Sequence, residues 1–330
     1  MQALKRIART LGSRPSMGGL AMSRMTEEEL TSHLAQCHFN IVLPGRVRKL
    51  YDVPSTVPKP YYVAGRLDHR RGVNREVHLS EAGLDGMREA GGVARHVLQL
   101  VANSICEGLS CEEIDLLVYN EAIKCGAYPS PLAYKGFPKS CCTSINNIVC
   151  HGIPDDTRLR NSDIINVDVT LFVDGYHGDT SRTFVVGEVL DQSGRDLVSV
   201  CEQIMLKGIE SCTPGNTVFD VQKSFQSELD VFLAKNPDCK FVFDSNFCSH
   251  GIGSEFHAAP NLHTKLGSGD TGHTFVEGQT LTIEPILMEC DSPVTILEDG
   301  WTCTSTVPLA RSAQFEHTVL ITKNGPEILT

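Results

Sequence analysis

The chain has 330 residues, 41% of them hydrophobic, which is enough for a large core in one or two domains. A net charge of -11 and a pI near 5.5 argue against general binding to nucleic acid or acidic lipid. No stretch approaches the roughly 18 apolar residues of a membrane span, and thirteen cysteines without a CxxC pair read as reduced, mostly buried thiols of an intracellular protein.

Residues 1–26 carry Lys5, Arg6, Arg9, Arg14 and Arg24, with no acid before Glu27. That composition predicts an organelle transit peptide. Residues 27–76 hold Pro44, Pro54, Pro58 and Pro60 and read as an extended arm outside the core. Residues 77–330 form the compact domain.

Within that domain a diverged repeat is legible. The segments 80–105 and 194–212 both have the apolar spacing of amphipathic helices. A second helix follows each, announced by Ser110 with Glu113 in the first half, an S-x-x-E capping box, and by Thr217 with Asp220 in the second. His-Gly-Ile then occurs at 151–153 and again at 250–252. After each comes a strand-like run ending on an acid: "DIINVDV" with Asp168 and "QTLTIEP" with Glu284. A second acidic strand completes each half, carrying Asp179 in one and Glu316, in "AQFEHTVLIT", in the other. Two half-domains that face each other would pool these carboxylates at one centre.

The stretch "VDVTLFVDGYHGDTSRTF" (167–184) carries the sharpest prediction. A two-residue turn at Asp174-Gly175 makes it a hairpin. Thr170 then opposes Asp179 and Asp168 opposes Ser181, so these four share one face and Val167, Val169, Leu171 and Val173 take the other. The two Asp become diagonal neighbours, close enough to hold one cation between them. Unpaired, they would repel and one would protonate. Exposed surface acids are the bland alternative.

"SHGIGSEFHAAP" places His250 and His257 around a Gly-rich loop, and Phe256 at the third glycine position rules out a dinucleotide fingerprint. Pro285 holds Glu284 on extended backbone. Glu316 sits in an otherwise apolar strand and needs a partner or a metal. Four carboxylates with a neutral His250 match the charge of two divalent ions, the ligand set of a two-metal hydrolytic centre. HExxH, GxSxG and P-loop motifs are absent.

Together these residues resemble the type I methionine aminopeptidases, most closely the organellar form. The resemblance runs over about residues 77–330 through "GFPKSCCTSINNIVCHGIPD", "INVDVTLFVDGYHGDTSRTF", "SHGIGSEFH", "TIEP", "DGWT" and "SAQFEHT". It implies an α+β "pita-bread" fold, a curved antiparallel sheet backed by helices with pseudo-two-fold repetition. It implies Asp168, Asp179, His250, Glu284 and Glu316 as ligands of two divalent ions, whether cobalt, manganese, iron or zinc.

The resemblance further implies that Glu284 takes a proton from the attacking water. His257 would contact the scissile amide and the developing oxyanion, and His151 would assist the leaving amine. A methionine pocket would be lined by Tyr134, Phe137, Cys142, Phe256 and Trp301, joined by His151 and His257; taken alone, Phe137 and Cys142 read as core. The implied substrates are N-terminal methionyl peptides and nascent proteins with a small second residue. No nucleic acid or membrane partner is expected, and a monomer is.

Cytosolic relatives carry an N-terminal zinc module of Cys and His pairs. Here Cys37 is the one cysteine before residue 75, beside His33 and His38 and well before His69, so no Cys and His pairs of that kind are present, which favours a mitochondrion over a plastid or the cytoplasm. Two rival readings are an X-Pro-directed peptidase of the same fold, which would need a longer N-terminal domain, and a non-catalytic relative, which would have lost ligands.

Overall fold

The computed structural model describes residue 35 and residues 37–48, 51–64, 79–187 and 191–330. The predicted transit peptide lies outside the described residues, as does residue 77, where the compact domain is expected to begin.

Ser80 caps helix α1 (Glu81–Ser104) by accepting a hydrogen bond from the Gly83 amide. Its buried face, Met87, Ala90, Gly91, Ala94, Val97, Leu98 and Val101, follows the i, i+3, i+4 rule. Helix α2 (Cys111–Lys124) starts with the complete Ser110/Glu113 capping box. In the second half, α3 (Gln192–Glu210) begins two residues earlier than the apolar spacing suggests, because Asp191 caps it through the Gly194 amide at 2.7 Å. Helix α4 (Val218–Lys235) follows Thr217, whose backbone N–H and hydroxyl both donate to the Asp220 carboxylate.

The first-half strands are β1 (Tyr128–Pro129), β2 (Cys142–Ile145), β3 (Ile148–Cys150), β4 (Ile164–Val173) and β5 (Tyr176–Val185). The second half supplies β6 (Val242–Phe243), β7 (Cys248–Gly251), β8 (Ala258–His263), β9 (Thr280–Ile283), β10 (Ile286–Met288) and β11 (Val294–Ile296). It continues with β12 (Cys303–Ser305), β13 (Ser312–Gln314), β14 (Glu316–Thr322) and β15 (Gly325–Ile328). A nine-stranded antiparallel sheet runs β1-β4-β5-β14-β9-β7-β8, with β2 also on β4 and β15 on β14. The halves meet where Glu316 pairs with Ser181 and His317 with Thr180. Two three-stranded sheets, β13-β10-β6 and β11-β12-β3, complete the domain.

Helices α1 and α2 cover the first half, burying Val167, Val169 and Leu171 of β4 against Ala94, Val97 and Ile114. Helices α3 and α4 do the same for Leu281, Ile283, Val319 and Ile321. This is the curved, helix-backed antiparallel sheet with internal repetition that the sequence predicts. The approach of α1 to the hairpin is close. A Cβ at Gly178 would lie 2.5 Å from backbone atoms of both Ala90 and Gly91. Only glycine fits that contact.

Two expectations change. "AQFEHTVLIT" divides at Phe315 into β13 and β14, because the parts answer different partners: β13 pairs with β10, β14 with β9 and β5. The arm adds residues to the interior. Val42, Val57 and Tyr62 are buried, and the Asn147 side chain bonds the Val42 backbone in both directions. Prolines keep such a segment extended but do not keep its apolar side chains out of a core.

Candidate metal centre and substrate pocket

The predicted hairpin register is observed pair for pair: Asp168 faces Ser181, Thr170 faces Asp179, Val173 faces Tyr176. Asp174 (φ 43°) and Gly175 (φ 102°) both take the left-handed conformation that such a tight turn demands. Asp168, Thr170 and Asp179 consequently project from one face into a cavity of about 280 Å³. The Thr170 hydroxyl donates to Asp179 Oδ1 at 2.6 Å.

His250 arrives from the second half on β7, beside Glu284 of the same half. Its Nδ1 lies 3.0 Å from the Gly251 carbonyl, which assigns the proton there and leaves Nε2 as an acceptor. That Nε2 is 3.5 Å from Glu284 Oε1 and 4.0 Å from Asp179 Oδ2. Glu284, just beyond β9, accepts from Thr282 Oγ1 at 2.6 Å and from Gln314 Nε2 at 3.2 Å. Glu316 opens β14, and one donor atom each from Asp179, His250 and Glu316 lie within 4.8 Å of one another.

These groups are costly to keep charged. Burial raises all four carboxyl pKa values, Asp168 to about 6 and Glu284 to about 8, with Asp179 and Glu316 also well up. Burial pulls His250 down to about 4. Asp168 Oδ1 is buried without a hydrogen-bond partner. The cavity lining sets four acids against a single lysine, Lys135. Oxygen-rich donors, one imidazole acceptor and an orphaned carboxylate atom all fit divalent cations.

The remaining predicted residues gather around this cluster. His257 precedes β8, with its ring 4.3 Å from that of His250, and burial holds its pKa well below the usual value. His151 follows β3. Burial opposes its protonation, yet hydrogen bonding to Cys303 and nearby acids leave its pKa raised. Tyr134, Phe137, Cys142, Phe256 and Trp301 all line the cavity. Phe137 meets Trp301 edge-on at 5.2 Å, and Tyr134 stacks on His257 at 5.2 Å. Phe137 and Cys142 are buried, as core residues would be, yet their exposed edges form pocket wall.

The wall is held from behind. The loop between Phe137 and Cys142 is anchored by the fully buried Lys139–Asp115 pair at 3.1 Å, and Asp115 also accepts from the Ser140 amide. Tyr62 of the arm donates to the Ser130 carbonyl and packs on Tyr134 at 5.1 Å. Sequence reasoning left out Gln314, Thr282 and His177. His177 lies two residues before Asp179 on the same strand face, stacked on Phe256 at 5.2 Å, with Nδ1 2.8 Å from Ser130 Oγ. Period-two alternation alone could have placed it.

Residues 85–323 match the model of metallopeptidase family M24. The chain is 44% identical over 291 residues to "Methionine aminopeptidase 1D, mitochondrial" of Danio rerio, covering 88% of this chain and 82% of that protein. The protein of the same name from Homo sapiens is also 44% identical, over 88% of this chain and 83% of its own length. The crystal structure of methionine aminopeptidase from Rickettsia prowazekii superposes with a TM-score of 0.72 at 38% identity, covering 78% of this chain and all of that one. The chain belongs to metallopeptidase family M24 and, within it, to the methionine aminopeptidases.

Proposed function

We propose that this chain removes the N-terminal methionine from peptides and newly made proteins whose second residue is small. The observation that carries the reading is one cavity holding both a carboxylate–histidine cluster and an aromatic, thiol-lined slot. Asp168, Asp179, His250, Glu284 and Glu316 would hold two divalent ions, with manganese, iron, cobalt and zinc all compatible with the donors. When bound, such ions lower the pKa of water and polarise a carbonyl.

The chain's own groups supply the rest. Glu284, steadied by Thr282 and Gln314, is the acceptor for the water's proton. His257, kept neutral by burial, donates to the oxygen that gains charge on the scissile carbonyl. His151, whose raised pKa favours the protonated ring, is the donor for the departing amine. The methionine side chain fills the slot between Tyr134, Phe137, Cys142, Phe256 and Trp301, where rings and a sulfur atom suit a flexible thioether. His151, His257 and Tyr134 crowd the space beyond it, which limits the second residue.

The proposed setting is the mitochondrion, supported by the basic, acid-free residues 1–26 and by the names of the two relatives. A monomer is the proposed state. The test is hydrolysis of Met-Ala-Ser against Met-Lys-Ser, with metals added singly to chelated enzyme. A kcat/KM advantage of about tenfold or more for the alanine peptide is expected, the size of a steric pocket effect. Equal values would overturn the specificity, and activity independent of metal would overturn the mechanism.

A further inference from the structure

A second set of donor atoms, sharing no residue with the carboxylate centre, borders the same cavity. Strands β3 and β12 pair so that Cys303 stands opposite Cys150. Next along the chain, His151 adopts a left-handed backbone (φ 54°), which is uncommon for a residue with a Cβ. Neighbours on a regular strand point to opposite faces; here the irregular backbone brings Cys150 and His151 to one side. One ligand atom each from Cys150, His151 and Cys303 lie within 4.8 Å of one another. Cys150 is 5% exposed and Cys303 1%, within a cluster that includes Val149, Ile286 and Met288. Cys150 and His151 line the cavity, so an ion can reach them from its water.

We propose that Cys150, His151 and Cys303 form a thiolate-bearing site for one soft divalent cation of the zinc class, separate from the carboxylate centre. Two thiolates and an imidazole are three of the four ligands of tetrahedral zinc, with the fourth position open to the cavity. The carboxylate centre suits harder ions, so softness sorts metals between the sites. Binding releases the two thiol protons to solvent and takes the imidazole in its neutral form. Of the three groups Cys303 is the one already inclined that way, whereas burial pushes the Cys150 thiol well up and His151 favours its protonated ring, so the ion must displace those protons. A hydrogen bond from Cys150 is the largest influence on Cys303 and draws its thiol pKa down, with His151 assisting. Filling the site removes His151 from proton donation, so zinc inhibits where manganese does not. This consequence, unlike the binding itself, rests on the role assigned to His151 above.

The test uses manganese-loaded, reduced enzyme titrated with cadmium as the probe. One equivalent should bind with the ultraviolet thiolate-to-cadmium absorption of two sulfurs. Cys303→Ser, checked for an unchanged melting temperature, should show the absorption of one sulfur and half-saturate at about tenfold higher cadmium; Cys303→Ala serves if the serine variant misfolds. Cadmium bound without thiolate absorption, or an unchanged titration in both variants, would overturn the site. The same titration on Asp168→Asn separates this proposal from the catalytic reading. A retained band supports an independent site even in inactive protein, and a lost band shows that the thiol site depends on the carboxylates and overturns it as a separate site. Zinc should inhibit Met-Ala-Ser hydrolysis at about tenfold lower concentration in the wild type than in Cys303→Ser. Equal sensitivity would overturn the inhibitory consequence.

Discussion

Asp168 and Asp179 reach the centre on a single hairpin of two ten-residue strands with an unbroken ladder. His250, Glu284 and Glu316 come instead from the ends of three different strands, β7, β9 and β14, none longer than seven residues. The hairpin sets its carboxylates by a turn and by alternation, both local. The opposite half depends on long-range register and compensates with side-chain support. Ser249 accepts from the Glu284 amide, Thr282 accepts from the His250 amide and donates to Glu284, and Gln314 donates to Glu284. In the hairpin the side-chain support falls on Asp179, from Thr170 and Thr318, while Asp168 Oδ1 has no partner.

The strongest attack on this contrast is at the hairpin. Asp168→Asn should lose most of its metal and reduce kcat by at least the roughly 10²- to 10³-fold typical of losing one electrostatic group at the reacting centre. Its fold should persist, because the substitution removes a buried charge whose Oδ1 has no partner. Full metal content by elemental analysis would sink the assignment.

Matched threonine variants sharpen the contrast. Thr170 supports one carboxylate of the hairpin, while Thr282 supports both Glu284 and the His250 backbone. Each Thr→Val change should weaken metal binding by about 10- to 100-fold, as loss of outer hydrogen bonds does. Thr282→Val should be the worse of the two, and equal losses would show that the halves share the burden evenly.

The smallest effect concerns pH in chelated protein. Burial raises the folded pKa of Glu284 to about 8, and of Asp179 and Glu316 as well, above their unfolded values. The folded state then holds the extra protons. That share of stability is complete below the unfolded carboxyl pKa and is lost as pH climbs through the folded one. His177 and His250, shifted downward by burial, act in the opposite sense but only below about pH 6.5. Metal-free protein should therefore melt a few degrees lower at about pH 9 than at about pH 7, with manganese narrowing the gap. A scan showing no such narrowing would dissociate the carboxylates from metal.

Legibility followed the same contrast. The Asp174-Gly175 turn and the period-two pattern made the hairpin readable residue by residue, and the capping residues marked α2 and α4. The division at Phe315 was hidden because it depends on which strands lie alongside, not on local propensity. So was the irregular register between His250 and Gly251, which lets His250 and His257 lie side by side across the β7–β8 pair. His151 gave no sign of its left-handed backbone, since the residue type does not announce it. The buried Val42, Val57 and Tyr62 were masked by prolines around them. The ligand residues were recognised as a set through family resemblance; bare spacing could only make the hairpin pair suspicious.

The glycine behind the hairpin has a consequence of its own. Gly178 carries no chemistry and adjoins Asp179, yet its missing side chain is the clearance between the metal-facing strand and the backbone of α1. Any larger residue must push either the helix outward or Asp179 inward. In a map of substitution tolerance, position 178 would rank beside the acids themselves, and variation there would be mistaken for catalytic damage when its origin is steric.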